Sequence, residues 1–270
     1  MPELPEVETS RRGIEPWITN TTITRVVVRN RRLRWPVARG IERKLQDQPI
    51  QSVARRAKYL LINTGNGTAI LHLGMTGSVF IVDRDAPAGV HDHLDIELDS
   101  GKTLRFRDPR RFGSFHWSKD PLAHPLLAKL GPEPLGDSFD GEYLWEKSRG
   151  RKVSIKQFIM NAQVVVGVGN IYASESLFLA GINPKRAAGR IARHRYDALA
   201  ESIRDILSRA IKAGGTTLRD FYGGDGEPGY FKQQLEVYDR EGEHCRCCNT
   251  VITAFVQGQR STYYCRQCQT

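Results

Sequence analysis

The amino-acid sequence predicts an α+β multidomain protein. It should contain an N-terminal antiparallel β-sandwich with a terminal helix, a helical middle region and a cysteine-rich C-terminal hairpin. Short β-branched or apolar runs fill most of residues 1–130, apolar residues recur at helical spacing from about Tyr143, and all five cysteines follow His244. Regular short strands are typical of sandwiches and barrels, whereas spacings of three and four are typical of amphipathic helices.

The first 130 residues should form a helix followed by eight strands. The helix is expected from about Pro5 to Gly13, because Gly13 and Pro16 are helix-breaking residues. Turn signals such as Ser100-Gly101 separate the strands. The predicted strands are Ile23–Arg29, Ile50–Arg56, Tyr59–Asn63, Thr68–Leu73, Val79–Val82, His93–Leu98, Thr103–Arg107 and Ser114–Trp117.

A cluster of glycine and proline in residues 131–137 predicts a linker before the helical region. Helices are expected over Ser154–Met160, Ile171–Ala180 and His194–Lys212. The glycine-containing segment 216–230 is a long polar loop, and loops of that length are usually functional or disordered. The predicted parts are an N-terminal domain 1–130, a linker 131–150, a helical domain 151–235 containing the loop 216–230, and a C-terminal hairpin 236–270.

The charge of the chain predicts a polyanionic partner. Lys and Arg total 40 against 30 Asp and Glu, a net charge of +10, and between Arg25 and Lys58 only Glu42 and Asp47 are acidic. A solvated basic face is the simpler interpretation, but arginines mixed with aromatic residues favour phosphate contact. No apolar run approaches the roughly 18 residues of a spanning helix, and the N-terminus lacks signal-peptide features, so an intracellular protein is expected.

The N-terminal residues Pro2, Glu3 and Glu6 carry the first candidate chemistry. Loss of Met1 would leave Pro2 as a secondary amine, whose ordinary pKa near 8 leaves a useful share unprotonated at neutral pH. Such an amine attacks sugar or carbonyl carbons to give an iminium, and the adjacent carboxyl groups can act as acid or base. Taken alone, these residues fit a helix start better, because proline and glutamates suit the positive helix end.

The C-terminal cysteines predict one structural Zn²⁺. Two CxxC pairs, Cys245/Cys248 and Cys265/Cys268, are separated by sixteen residues, a spacing typical of zinc sites. Four thiolates leave no open position, so the metal would not activate water. The segment between the pairs alternates as a hairpin whose tip carries Arg260, which is either surface charge or a phosphate clamp.

Two further groups of residues suggest contact with nucleic acid. The turn Gly167–Asn170 opens a helix, with Asn170 placed as an N-cap, and exposed N–H groups there bind phosphate. A plain helix–helix turn is equally compatible, although Arg151, Lys152 and Lys156 lie just upstream.

The segments His72–Gly77 and Asp108–Gly113 are turns at strand ends that carry Met75 and Phe112. Proteins that extrude a base need bulky side chains to occupy the vacated stack, although such residues more often lie in a core. His91 and His93 flank Asp92, where a solvent-facing or phosphate-binding role is favoured over a metal pair.

Together these motifs resemble those of bacterial formamidopyrimidine-DNA glycosylases over nearly the whole chain. The matching segments are Pro2–Thr9, His72–Gly77, Asp108–Gly113, Val166–Glu175 and the CxxC pairs. The resemblance implies a helix–two-turn–helix domain and a zinc-finger hairpin that clamp double-stranded DNA. It also implies excision of oxidised purines such as 8-oxoguanine, followed by strand cleavage at the abasic site.

The resemblance assigns roles residue by residue. Pro2 matches the nucleophile, Glu3 the acid and Glu6 a supporting carboxylate. Lys58 matches the residue assigned to proton transfer in β-elimination, and Arg260 that assigned to δ-elimination. The side chains matching the filler of the base gap or contacts to the DNA are His72, Met75, His91, Arg110, Phe112, Arg151, Lys156 and Asn170. The loop 216–230 matches a lid over the flipped base. Asn161 departs from the family pattern, which often has Asp there.

The favoured hypothesis is therefore a monomeric, bacterial cytoplasmic, nucleoid-associated glycosylase/lyase that acts on DNA with oxidised purines or abasic sites and uses no cofactor beyond the structural zinc. A non-catalytic DNA- or RNA-binding zinc-hairpin protein is the main alternative. The related endonuclease VIII type, which prefers oxidised pyrimidines, is a closer alternative, but the N-terminal motif and long lid loop argue against it.

Overall fold

The computed structural model describes residues 2–215 and 234–270 and resolves two compact units. Residues 2–128 with 213–215 form the first unit, and residues 129–212 with 234–270 form the second. The predicted four-part division remains a prediction, and the predicted lid 216–230 lies outside the described residues. None of the helices in these ranges is long and apolar enough to cross a membrane.

Two four-stranded antiparallel sheets make up most of the first unit and confirm the predicted sandwich. One sheet has the order β1-β6-β7-β5 and the other β2-β3-β4-β8. Apolar side chains from both sheets belong to one buried cluster, the arrangement that defines a sandwich core. The strands are β1 (Ile23–Val28), β2 (Ile50–Arg56), β3 (Tyr59–Thr64), β4 (Gly67–His72), β5 (Ser78–Asp83), β6 (Asp92–Leu98), β7 (Lys102–Arg107) and β8 (Ser114–Ser118).

Helix α1 (Leu4–Ile18) is longer than the sequence predicts, because it continues through Gly13 and Pro16. An interior proline removes one helical hydrogen bond and crowds the carbonyl four residues earlier. Here the cost is offset by core packing, since Ile14 and Ile18 are fully buried. A short helix, α2 (Ile41–Leu45), follows β1.

Two connections pass from one sheet to the other beside each other. Residues 73–77, the Met75 loop, join β4 to β5, and residues 108–113, the Arg110 loop, join β7 to β8. Strands β4 and β8 are neighbours in one sheet, with His72 opposite Ser114, and β5 and β7 are neighbours in the other. The topology therefore brings the two loops together at one edge of the sandwich.

The second unit is helical and ends in a hairpin. Its helices are α3 (Gly141–Ser148), α4 (Ile155–Ile159), α5 (Asn170–Leu179) and α6 (Arg193–Lys212), with a 3₁₀ turn at Ala188–Arg190. Strands β9 (Thr253–Gln257) and β10 (Arg260–Tyr264) form the hairpin. Helix α5 packs against both α6 and β10, so the helical bundle supports the hairpin directly.

Candidate active site and nucleic-acid interface

The N-terminal candidates lie at the start of α1 and are withdrawn from solvent. Pro2 is buried, and Glu3 and Glu6 are only 2% and 3% exposed. The Glu6 carboxylate accepts a hydrogen bond of 2.9 Å from the backbone N–H of Glu3, as in a capping box. The structure thus places both carboxyl groups at the positive N-terminal end of α1, directly after Pro2 in the chain.

Gly215 lies against the Glu6 side chain, at a position that requires glycine. Gly215 has φ of +82°, and a Cβ built there would lie 3.3 Å from the Glu6 side chain. A larger residue would be strained at that φ and would crowd the carboxylate.

Glu8 links helix α1 to the turn that carries Lys58. Its carboxylate accepts hydrogen bonds from Arg11 and Arg12 and pairs with Arg55 of β2 at 3.2 Å. Burial acts to raise the pKa of Glu8, but hydrogen bonds from Arg11 and Arg12 outweigh it and leave the pKa lowered. Glu8 therefore remains anionic at neutral pH and holds Arg55 in place.

Arg55 in turn donates a 3.0 Å hydrogen bond to the carbonyl oxygen of Ala57. Ala57 has φ of +55°, a left-handed conformation that is unfavourable for a residue with a Cβ. It forms the two-residue turn between β2 and β3 together with Lys58, because Arg56 pairs directly with Tyr59. The Glu8–Arg55 pair thus helps to hold the turn that positions Lys58.

His72 is a neutral imidazole with a defined tautomer. Burial, followed by the positive charges of Lys58 and Arg34, lowers its pKa from 6.5 to about 4. The backbone N–H of Gly74 donates a 3.0 Å hydrogen bond to Nδ1, so the ring proton belongs on Nε2. The ring also packs against Tyr59, with centroids 4.8 Å apart. His72 can therefore contact a phosphate as a hydrogen-bond donor without carrying charge.

Met75, Arg110 and Phe112 project from the paired loops. Met75 is 38% and Phe112 is 40% exposed, so these apolar side chains do not serve only as core. The Arg110 guanidinium lies 4.8 Å from the centre of the Phe112 ring, a cation–π arrangement. Arg111 between them adopts φ of +56°, which turns the chain sharply at the tip.

The His91–His93 segment separates into one exposed and two buried side chains. His91 is exposed, whereas His93 Nε2 lies 2.8 Å from the carbonyl oxygen of Asp108 and must donate to it. Asp92 is buried and accepts from Arg107 at 2.7 Å. Asp92 and His93 are therefore occupied by protein contacts, and only His91 is presented to solvent.

The start of α5 differs from the prediction in two respects. Gly169 is the N-cap, and Asn170 is the first helical residue. The Asn170 Oδ1 accepts 2.7 Å from the ammonium of Lys156, while its Nδ2 donates to the carbonyl oxygen of Ser261. The side chain is thus used to join helix and hairpin and does not cap the helix.

Lys156 is buried, which corrects the prediction of a direct DNA contact. Only 1% of it is exposed, and its ammonium also donates to the Ser261 carbonyl oxygen and the Thr262 hydroxyl, at 3.0 and 2.8 Å. A buried ammonium is tolerated only when its donors are satisfied, as they are here. Lys156 therefore joins Asn170 of α5 to Ser261 and Thr262 of the hairpin through hydrogen bonds.

Arg151 and Arg260 are exposed, as phosphate contacts must be. Arg260 begins β10 and pairs with Gln257 across the hairpin tip. Both tip residues, Gly258 and Gln259, have positive φ, of +55° and +60°. This tight tip fixes the backbone from which the Arg260 side chain extends.

The four predicted zinc ligands meet at the base of the hairpin. Their sulfur atoms all lie within 4.8 Å of one another, with 3.9 Å between Cys245 and Cys268 and 3.4 Å between Cys248 and Cys265. Zn–S bonds of about 2.3 Å in a tetrahedron place the sulfurs about 3.8 Å apart, so the donor set fits Zn²⁺. No other candidate metal cluster occurs among residues 2–215 and 234–270, and Cys247 points into solvent.

Two buried carboxylates were not assigned a role from the sequence. Glu175 of α5 accepts hydrogen bonds from the backbone N–H groups of residues 236, 237 and 238. Asp108 is fully buried within the Arg110 loop. Their positions inside the segments Val166–Glu175 and Asp108–Gly113 are the only signal that the sequence offered for either residue.

Comparisons with known proteins agree with this geometry. Two family models match: the formamidopyrimidine-DNA glycosylase N-terminal domain over residues 1–115 and the formamidopyrimidine-DNA glycosylase H2TH domain over residues 130–222. Formamidopyrimidine-DNA glycosylases of Stutzerimonas stutzeri and Pseudomonas putida are 59% and 58% identical over 269 residues, covering 100% of both chains.

Solved structures show the same fold. The Lactococcus lactis Fpg G226P mutant bound to DNA containing Fapy-dG has a TM-score of 0.92 and 33% identity, with 100% of both chains covered. The same organism's Fpg with abasic-site DNA has a TM-score of 0.91 and 33% identity, with 99% of each chain covered. The MutM (Fpg) protein of Thermus thermophilus has a TM-score of 0.90 and 34% identity, covering 99% of this chain and 98% of that one.

Proposed function

The chain belongs to the formamidopyrimidine-DNA glycosylase family, and on that premise we propose that Pro2, once Met1 is removed, is the nucleophile of its reaction. The protein is a DNA glycosylase of oxidised-purine repair with abasic-site lyase activity, and it holds one structural zinc ion. The observation that carries the proposal is the burial of Pro2, Glu3 and Glu6 together at the start of α1.

Base excision follows from the chemistry of the Pro2 amine. The nitrogen lone pair forms a bond to C1′ as the C1′–base bond breaks, and the base leaves with the bonding electrons and takes up a proton. Glu3 then donates a proton to the sugar ring oxygen, the ring opens and the nitrogen loses its own proton, which leaves an iminium. Because Pro2 is a secondary amine, this iminium stays cationic without a proton.

Strand cleavage uses the same iminium as an electron sink. It acidifies the C2′ hydrogen, so that a base removes that proton and the 3′ phosphate leaves in β-elimination. A second elimination then releases the 5′ phosphate. Lys58 is assigned to proton transfer in the first elimination and Arg260 to the second, and both assignments rest on the family resemblance.

Contacts to the duplex are proposed for residues of both units. His72 donates to a phosphate from neutral Nε2, whereas Arg151 and Arg260 contribute charge. Met75, Arg110 and Phe112 fill the gap that an extruded nucleotide leaves. The zinc ion, held by the four cysteines, supplies rigidity to the hairpin and takes no part in the chemistry.

We place the protein in the bacterial cytoplasm, associated with the nucleoid, because its substrate is chromosomal DNA. We also expect it to act as a monomer. A fluorescent fusion distributed evenly outside the nucleoid would contradict the location. A mass corresponding to two chains on one short lesion duplex would contradict the monomer.

The test of the proposed function is borohydride trapping, which reduces an enzyme–sugar iminium to a stable adduct. We expect the Met1-processed protein to form an adduct with a duplex containing 8-oxoguanine. Pro2→Ala should lower excision and adduct formation by at least about a hundredfold, because the secondary amine is lost. Pro5→Ala, in the first turn of the same helix, is the matched control and should form the adduct readily.

Three outcomes would overturn this assignment. The absence of any adduct from processed wild type would favour the non-catalytic binding alternative. Faster reaction on an oxidised pyrimidine duplex would favour the endonuclease VIII type. Equal excision by wild type and Pro2→Ala would rule out Pro2 as the nucleophile. As a control, intact-mass measurement establishes that Met1 is absent from each sample.

A further inference from the structure

Asp108 lies between the two loops that carry the exposed side chains at the sandwich edge. It is fully buried. Its carboxylate accepts a 3.0 Å hydrogen bond from the Thr76 hydroxyl of the Met75 loop through Oδ1. Its Oδ2 accepts 2.7 Å from the backbone N–H of Gly113 at the end of the Arg110 loop. One side chain therefore connects both loops.

The Thr76 hydroxyl extends this connection. It donates to Asp108 and also accepts, at 3.4 Å, from the backbone N–H of Arg110. A hydroxyl can donate once and accept twice, so the Thr76 hydroxyl connects the Asp108 carboxylate to the backbone of Arg110.

The backbone of Asp108 adds a third segment. Its N–H donates to the carbonyl oxygen of His91 at 3.0 Å, and its carbonyl oxygen accepts from Arg111 N at 3.2 Å and His93 Nε2 at 2.8 Å. The exposed His91 is thus tied to the same residue as the two loops.

The loops also touch without intervening side chains. A Cβ built on Gly74 would lie 2.4 Å from the backbone nitrogen of Gly113, closer than real Cβ atoms come. A Cβ on Gly113 would meet the Phe106 ring at 2.6 Å and the Asp108 carboxylate at 3.1 Å. The backbones of the two loops are therefore in direct contact, and the hydrogen bonds made by Asp108 and Thr76 join the loops at this contact.

We propose that Asp108 is a positioning residue that holds the Met75 loop and the Arg110 loop in one arrangement, so that Met75, Arg110 and Phe112 enter the duplex as a unit. The inference rests on the proposed function, because it concerns the residues assigned there to the base gap. A buried carboxylate is costly unless its oxygens accept hydrogen bonds, so the network has one strongly preferred geometry. Preorganised side chains lose less entropy when they insert.

The experiment breaks the connection at its least disruptive point. Thr76→Val removes the hydroxyl while keeping side-chain shape, and Thr76→Ser restores the hydroxyl as the matched control. Asp108→Asn is a second variant, which keeps a carbonyl acceptor for one of the two donors. Two readouts are measured: fluorescence of 2-aminopurine placed beside the base opposite the lesion, and borohydride trapping on duplex and single-stranded abasic DNA.

For Thr76→Val we expect the insertion-linked fluorescence change and trapping on duplex DNA to slow by about threefold to tenfold. Trapping on single-stranded abasic DNA, which has no stack to refill, should change much less, so the duplex-to-single-strand ratio falls. Thr76→Ser should restore the ratio, and Asp108→Asn should lie between wild type and Thr76→Val.

The inference fails if Thr76→Val keeps the wild-type duplex-to-single-strand trapping ratio and fluorescence change. It also fails if trapping on the duplex and on the single strand falls equally. It also fails if Thr76→Ser behaves as Thr76→Val, because the hydroxyl would then be irrelevant. Failure of the proposed function is recognised separately, since wild type would then trap neither substrate.

Discussion

His72 shows how burial selects the chemical state of a single side chain. A histidine in a basic region invites the interpretation of a cationic phosphate contact, but burial and the charges of Lys58 and Arg34 keep the ring neutral. The hydrogen bond from Gly74 then selects the tautomer with the proton on Nε2. The Nε2–H group of His72 therefore remains available as a hydrogen-bond donor with a fixed direction.

This state predicts a pH dependence of stability. The unfolded chain takes up a proton at His72 near pH 6.5, whereas the folded protein resists until about pH 4. Protons therefore bind more strongly to the unfolded state in this window, and the free energy of unfolding falls as pH drops from about 6.5 to about 4. In urea titrations at several pH values, His72→Gln should lose part of this fall.

His116→Gln is the matched control, because burial also lowers the pKa of His116, which lies on the neighbouring strand β8 opposite Ile70. It should remove a different portion of the pH dependence. Identical pH profiles for wild type and His72→Gln would contradict the neutral state assigned to His72.

At the scale of elements, buried polar groups join segments that are distant in sequence. Lys156 of α4 reaches Asn170 of α5 and the Thr262 side chain of β10, and Glu175 of α5 receives three backbone N–H groups. Because a buried polar group without a partner is destabilising, each connection specifies one arrangement of helix and hairpin.

The buried position of Lys156 gives a prediction about salt dependence. Lys156→Met should weaken DNA affinity by disturbing Asn170 and the hairpin, while the slope of log affinity against log salt stays near that of wild type. Arg151→Ala is the exposed control and should reduce the slope by about one. Fluorescence anisotropy at several salt concentrations measures both, and an equal reduction for Lys156→Met would restore the direct phosphate contact.

The zinc module makes an element-scale prediction of its own. Cys248→Ser should lose zinc and weaken DNA binding, because three thiolates hold the metal less well and the hairpin loosens. The sandwich should remain folded, since its core contains none of the cysteines. Cys247→Ser, at an exposed cysteine beside the ligand, should keep the metal.

Zinc content by metal analysis and thermal unfolding of the sandwich check this prediction together. A Cys248→Ser protein with full zinc content and wild-type DNA affinity would contradict the four-cysteine site.

On the scale of the whole molecule, the proposed roles are divided between two units. Pro2, Glu3 and Lys58 belong to the sandwich unit, whereas Arg260 belongs to the helical unit. The net charge of +10 favours association with DNA throughout, independent of any one residue.

This division predicts separable kinetic effects. Arg260→Ala should weaken DNA affinity and slow the later elimination, while base excision at saturating enzyme changes by less than about threefold. Product analysis that resolves the β- and δ-elimination ends provides the measurement. Arg266→Ala, in the same module but beyond the hairpin strands, is the control; a loss of excision equal to that of Pro2→Ala would contradict the assignment.

The sequence by itself determined most of the architecture. Short β-branched or apolar runs separated by turn residues placed all eight sandwich strands to within a residue or two, because strand propensity and turn geometry depend on local sequence. The CxxC spacing likewise identified the metal ligands, since each pair lies on one short turn.

Only the tertiary structure decided how individual side chains are used. Helix α1 runs through Pro16 because core burial of Ile18 outweighs a local penalty. Lys156 is a brace because β10, more than a hundred residues later, covers it. Asp108 acquires its partners when two sheet crossings meet, and long-range contacts of this kind leave no periodic signal in the sequence.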